Sequence, residues 1–201
     1  MRHQNTRALA TYWETLRRGR IAPQRTDVSP SDLSALLPYL FILQKVDESH
    51  ALFRLAGTGL CDLYRREFRD QNFLSLWSGG DRLYMQAMIN EASERPSPAG
   101  ALVSAETIDG VSLEAEVLIA PLLSPANRLD RFIGLFQPLT PVDSLRSRPL
   151  VDQSLTAIYP PNAQDKADSG MRQSVNGFER PIQPMPGGRP NLRVVASNEN
   201  V

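Results

Sequence analysis

Residues 101–123, ALVSAETIDGVSLEAEVLIAPLL, constrain the fold more than any other stretch of the chain. Two runs of β-favouring residues flank Asp109-Gly110, a dipeptide that tolerates the positive φ angles of a type I′ turn, so the segment predicts a long antiparallel hairpin. In the second run Val111, Leu113, Ala115, Val117 and Ile119 alternate with Ser112, Glu114, Glu116, Leu118 and Ala120. The period of two directs the first set to a core and leaves Glu114 and Glu116 on a solvated or partner-facing side.

Other strands are legible on either side. YLFILQKV at 39–46 and ALFRLAG at 51–57, separated by a polar turn from Asp47 to His50, read as a pair, and DRFIGLFQPL at 130–139 as a last strand. The helical segments follow a different period. In TRALATYWETLRRGR, residues 6–20, Leu9, Tyr12, Trp13 and Leu16 form one apolar stripe at i, i+3, i+4 and i+7. Asn5 or Thr6 is expected to cap that helix, with Gly19 as its stop. A shorter helix is expected after Ser29 and Pro30, carrying Leu33, Leu36 and Leu37 and ended by Pro38. GTGLCDLYRRE and NFLSLW supply short helical pieces, and DRLYMQAMINEASER a longer helix with Tyr84, Ala87, Met88 and Ala92 on one face. The order predicts an α+β domain: a five-stranded antiparallel sheet with helices packed mainly on one face. The expected boundaries are an N-terminal helical extension over 1–38, the sheet domain over 39–140, and a mostly disordered tail over 141–201. That tail, with PPNAQDKADSG, QPMPGGRPN and ASNEN, is poor in aromatics and lacks sustained periodicity, and only LTAIY and LRVVA within it suit brief structure.

Composition excludes several function classes. The formal net charge is zero, so no global field marks a nucleic-acid binder. Cys61 is the only cysteine and the histidines are His3 and His50 alone, which allows neither an intramolecular disulfide nor a plausible zinc set. No run approaches the roughly 18 apolar residues of a membrane span, and no secretory h-region follows the basic N-terminus. The expectation is a reducing, cytoplasmic protein without metal.

The wording of the chain narrows the fold further. YWETLRRGRIAPQRTDVSPSDLSALLPYLFILQ, then FRLAGTGLCDLYRREF, NFLSLW, the strand ending in APLL and RFIGLF after it together resemble the PAS_5 family of alphaproteobacterial proteins, over roughly residues 8–139. The resemblance implies a PAS-like fold and a cytoplasmic sensory or protein-interaction module, often with no attached catalytic domain. It carries over no ligand. Arg65, Arg66 and Asp70 stand where relatives tend to have glycine.

Catalytic readings fail on inspection. SGGDRLY at 78–84 has Arg82 and Leu83 where a diguanylate cyclase signature would be acidic and aromatic, and Cys61 in GLCDLYRRE lacks the context of photoactive flavin-binding PAS domains. Neither histidine falls on the helix that would supply a haem ligand, so the protein is expected to carry no flavin, haem or other cofactor. No Ser-His-Asp set, HExxH or phosphate-binding GxxxxGK[ST] occurs. The expected role is therefore non-catalytic: a regulatory module that binds a protein partner or a second copy of itself. The alternative is a sensor of a small apolar ligand, signalling through the N-terminal helix, with Phe53, Leu55, Leu60, Tyr84, Met88, Val117 and Phe136 around a common interior. The stripe of Leu9, Tyr12, Trp13 and Leu16 can dock on the domain or on the same helix of a second chain. In RIAPQRTD, Arg20 and Arg25 suit either an anion site or an ion pair with Asp27 that clamps the linker. Gly57 and Gly59 suit a sharp strand-to-helix turn, with Thr58 as cap.

Overall fold

The hairpin forms as β3 (Ala99–Thr107) and β4 (Ser112–Leu122) in a computed structural model that describes residues 1–159. Its turn is not type I′. Only Gly110 has positive φ (+80°), and its N–H donates to Thr107 O at 2.9 Å, so the loop is Ile108-Asp109-Gly110. A three-residue loop needs one left-handed residue where a type I′ turn needs two. Asp109 keeps an ordinary backbone and accepts from Thr107 Oγ1 at 2.6 Å.

Around the hairpin lie β1 (Leu40–Lys45), β2 (Ala51–Ala56), β5 (Arg131–Pro138) and β6 (Leu150–Tyr159). The sheet is antiparallel in the order β2-β1-β5-β4-β3-β6. The α+β class and the antiparallel sheet are as expected, but among the described residues the strands number six, not five. β6 lies beyond the boundary expected at residue 140: it adds to the free edge of β3, from Gly100↔Tyr159 to Thr107↔Leu150. LTAIY falls within it. Two register shifts interrupt this ladder, between Leu102/Val103 and between Glu106/Thr107. Such bulges break the period of two, which is why the strand is faint in the sequence. Residues 141–149 of the expected tail are described as well, with a 3-10 turn at Val142–Leu145 and Leu145 buried, whereas residues 160–201, including LRVVA, lie outside the described residues.

Among the described residues three α-helices cover the sheet: α1 (Gln4–Arg17), α2 (Thr58–Tyr64) and α3 (Gly79–Glu94). α2, α3 and a 3-10 turn at Phe73–Leu76 cover one face, above Leu113, Ala115, Val117 and Ile119 of β4. α1 and the segment from Ala22 to Leu36 cover the other, above Leu118 and Ala120. The alternation expected for β4 therefore holds, but both faces are covered. Glu116, expected on a solvated or partner-facing side, is fully buried. It accepts from the backbone N–H groups of Arg2 (2.8 Å) and His3 (3.0 Å) and from Thr6 Oγ1 (2.6 Å). A buried carboxylate needs such donors, and these come from the start of α1, which is thereby pinned to the sheet.

Local expectations were also adjusted by packing. α1 is capped by His3, whose Nδ1 accepts from Asn5 N–H at 3.1 Å, because Thr6 is engaged with Glu116. The segment expected as a second helix forms two 3-10 turns, Pro30–Leu33 and Leu37–Tyr39. Pro38 within the second lacks the N–H that a longer helix would require. Gly57, not Thr58, is the N-cap of α2. At the other end of α2, Arg65 adopts φ +52°, and Asp70 adopts φ +61°, left-handed conformations that glycine would reach more easily. The inward face of α3 is Met85, Met88, Ile89 and Ala92: Met88 and Ala92 of the expected stripe are buried, whereas Tyr84 and Ala87 are exposed and Met85 and Ile89 take their places.

Candidate functional site

The space between the sheet and the α2/α3 layer is filled. Phe53, Leu60, Met88, Val117 and Phe136 are buried there. Leu55 and Tyr84 are not: they are 44% and 58% exposed, so neither can line an interior. For Leu55 the reason is a register shift between β1 and β2, in which Ile42 pairs with Leu55 and Leu43 with Phe53. Arg54 is the extra residue, and past it the alternation inverts. Tyr84 sits next to Met85, which takes the inward position in its place.

Aromatic rings occupy the middle of this layer. Phe53 meets Phe41, Phe68 and Phe73 at centroid distances of 5.7, 4.8 and 5.7 Å, and Tyr64 meets Phe68 and Phe136 at 5.3 and 6.1 Å. Phe73 continues to Trp77 at 6.2 Å. The rings interlock mostly edge to face, the arrangement their quadrupoles favour.

Openings occur instead around α2. One cleft of about 280 Å³ lies between α2 and the 3-10 turn Val142–Leu145. A larger one, about 430 Å³, lies between the end of α2 and β6, with Tyr64, Arg65, Arg66 and Gln153 in its lining. The Tyr64 hydroxyl donates to Gln153 Oε1. Burial pushes the Tyr64 phenol well above its usual range, so it remains a neutral donor throughout the physiological pH range. Sequence reading missed Gln153 because its strand lies in the segment read as tail. The Arg65-Arg66 doublet was visible, but its position beside a later strand was not.

The stripe expected to serve as an interface is occupied by the chain itself. Leu9 and Trp13 are buried under the second face of the sheet, and Trp13 Nε1 donates to Pro121 O at 2.6 Å. Tyr12 and Leu16 are half-buried at the margin, and the Tyr12 hydroxyl accepts from Ser29 N–H at 3.0 Å. An arrangement in which all four residues meet a second chain would require α1 to leave the sheet.

Arg20 is also engaged locally. It donates to Asp27 Oδ2 at 2.5 Å and to the carbonyls of Leu16 and Arg17 at the end of α1, which matches the clamp rather than an open anion site. Arg25 donates through its backbone N–H to Leu123 O. The Arg20 guanidinium holds the Asp27 carboxyl below its usual pKa. The folded state therefore favours the carboxylate, so the stabilisation is present above the ordinary aspartate value and is lost as pH falls through the depressed one. Both side chains are partly exposed, so solvent screening keeps the effect small. An NMR titration of the Asp27 carboxyl should give a midpoint below the ordinary value, returning to it in Arg20→Ala; an unchanged midpoint would remove the clamp.

Cys61 is half-buried and its thiol is pushed up by burial, unlike an activated nucleophile. Among the described residues no group of three His, Cys, Asp or Glu side chains could hold a metal ion, and no helix is long and apolar enough to cross a membrane.

Comparison with known proteins bears on this geometry. The PAS_5 family model, described as a PAS domain, matches residues 1–137. That span includes α1 and the strands through most of β5 but not β6. No curated protein matches the chain. Among solved structures, one from "Flavin Analogue Sheds Light on Light-Oxygen-Voltage Domain Mechanism" is 14% identical with a TM-score of 0.43, covering 58% of this chain and 90% of its own. The LOV protein of Rhodobacter sphaeroides is 13% identical with a TM-score of 0.41, covering 55% and 66%. The PAS domain of a Colwellia psychrerythraea protein is 14% identical with a TM-score of 0.42, covering 55% and 96%.

Proposed function

Since the chain belongs to the PAS_5 family of PAS domains, we propose that it is a non-catalytic, cytoplasmic regulatory module that acts by binding another protein, whether a distinct partner or a second copy. The observation that carries this reading is the filled interior. A receptor for an apolar ligand needs room between sheet and helices, and the linked rings of Phe41, Phe53, Phe68, Phe73 and Trp77 occupy that room. Such a core offers a rigid platform whose surface does the recognition. The lone cysteine agrees with a reducing compartment.

Native mass spectrometry of protein purified from cells tests the reading. The expected result is a bare chain mass, alone or in a protein complex, without visible absorption from a flavin or haem. A stoichiometric apolar molecule retained inside would favour the alternative sensor instead. Met88→Trp sharpens the distinction, because Met88 faces the filled interior from α3. Overpacking there should cost about 1–3 kcal/mol. In the folded variant, partner binding should persist; its loss with an intact surface would point to a ligand-dependent mechanism.

A further inference from the structure

The cleft between α2 and β6 holds a buried donor that the protein itself leaves unused. Gln153 is 3% exposed and lines the cleft; its Oε1 accepts from Tyr64, while its Nε2 has no acceptor. Buried amide donors are rarely left unpaired, because the lost hydration is not recovered unless a guest brings an acceptor.

The surroundings specify that guest's charge. Arg65 and Arg66 line the same cleft, and neither takes part in an ion pair among the described residues. The Arg66 guanidinium lies 4.8 Å from the Phe68 ring centroid, a contact that holds it in place beside the opening. Asp152 is the only carboxylate in the lining. Two guanidinium groups against one carboxylate leave one positive charge, which matches a singly charged anion better than a dianion. At about 430 Å³ the space suits a small molecule.

We propose that this cleft binds a small organic monocarboxylate, with Gln153 Nε2, Arg65 and Arg66 as its donors. A guanidinium pairs with a carboxylate through charge-assisted hydrogen bonds, and the buried Gln153 amide adds a neutral donor. The site depends on β6, which lies outside the span matched by the family model. It is also separate from the filled interior, so its failure would leave the regulatory reading intact.

The test is an NMR titration of the full chain with butyrate, and in parallel with inorganic phosphate, following the Gln153 side-chain amide. Butyrate should shift that resonance saturably, and Arg66→Ala, an exposed substitution expected to fold, should weaken binding about tenfold or more. Arg65→Ala should act in the same direction. Absence of a saturable shift, a shift undiminished in both arginine variants, or tighter binding of phosphate than of butyrate would each overturn the assignment.

Discussion

Trp13→Ala should lower the unfolding free energy by about 3–5 kcal/mol, the range for removing a buried tryptophan from a core. Trp13 is 2% exposed, packed among Leu9, Leu33, Leu122 and their neighbours on the second face of the sheet, and donates to Pro121 O at 2.6 Å. The loss has two parts. Trp13→Phe retains most of the apolar surface but strands the Pro121 carbonyl, so it should cost less, about 1–3 kcal/mol. Denaturant unfolding of the variants measures both, and sedimentation of the same samples separates this effect from assembly. If Trp13 were instead the seam between two chains, Trp13→Glu would yield a folded monomer. With Trp13 under its own sheet, the charge has nowhere to be solvated, and the expected outcome is a domain with α1 detached or unfolded. A folded, stable Trp13→Ala monomer formed from a wild-type dimer would refute the docking of α1.

Gly57→Ala should be nearly as damaging, although it adds a single methyl group. A Cβ at this position would lie 2.1 Å from Leu37 O and 2.4 Å from Pro38 O. Both are backbone atoms, and the Gly57 N–H is itself bonded to Leu40 O at 2.8 Å, so neither side can withdraw without breaking the start of β1. The cost should reach or exceed the upper part of the usual overpacking range, about 3 kcal/mol. Gly57 has φ −68° and ψ 152°, angles open to any residue, so the need for glycine comes from space alone. Gly59→Ala is the control. Its Cβ would meet the Tyr39 ring at 2.9 Å, a side chain that can turn aside, and the backbone Pro38 O at 3.0 Å. The latter contact is far less severe than the 2.1 and 2.4 Å at Gly57, while alanine gains about 1 kcal/mol of helix propensity. Equal losses in the two variants, read from thermal unfolding, would remove the close approach as the explanation.

The second face of the sheet gives both residues of α1 that matter most, Trp13 and Glu116's partner Thr6, a structural rather than an interfacial role. On the proposed regulatory reading, an N-terminal helix secured at both ends puts the recognition surface elsewhere, or has to be released at a considerable free-energy cost. The filled interior points the same way, since a core of interlocked rings has little freedom to rearrange around a guest. The cleft at β6 escapes both constraints because it lies at the sheet edge beside α2.

Local sequence determined the elements whose period is strong and uninterrupted. The hairpin around Asp109-Gly110, the apolar alternation of β4 and the stripe on α1 each follow from residue spacing, because a pleated strand and a helix impose fixed directions on successive side chains. Whole-segment wording also carried the family resemblance. Tertiary structure alone decided what covers each surface. Spacing marks Glu116 as facing away from the α3 layer, but only the return of α1 across that face makes it a buried acceptor. Likewise, no local signal announces that Arg54 is an extra residue in β2, so that Leu55 turns outward. β6 shows the limit most clearly: its ladder with β3 is broken twice, its period is blurred, and it exists as a strand because β3 offers an unpaired edge more than forty residues earlier in the chain. Gln153 and the Arg65-Arg66 doublet meet only through that pairing, which is a fact of the folded chain and not of any window within it.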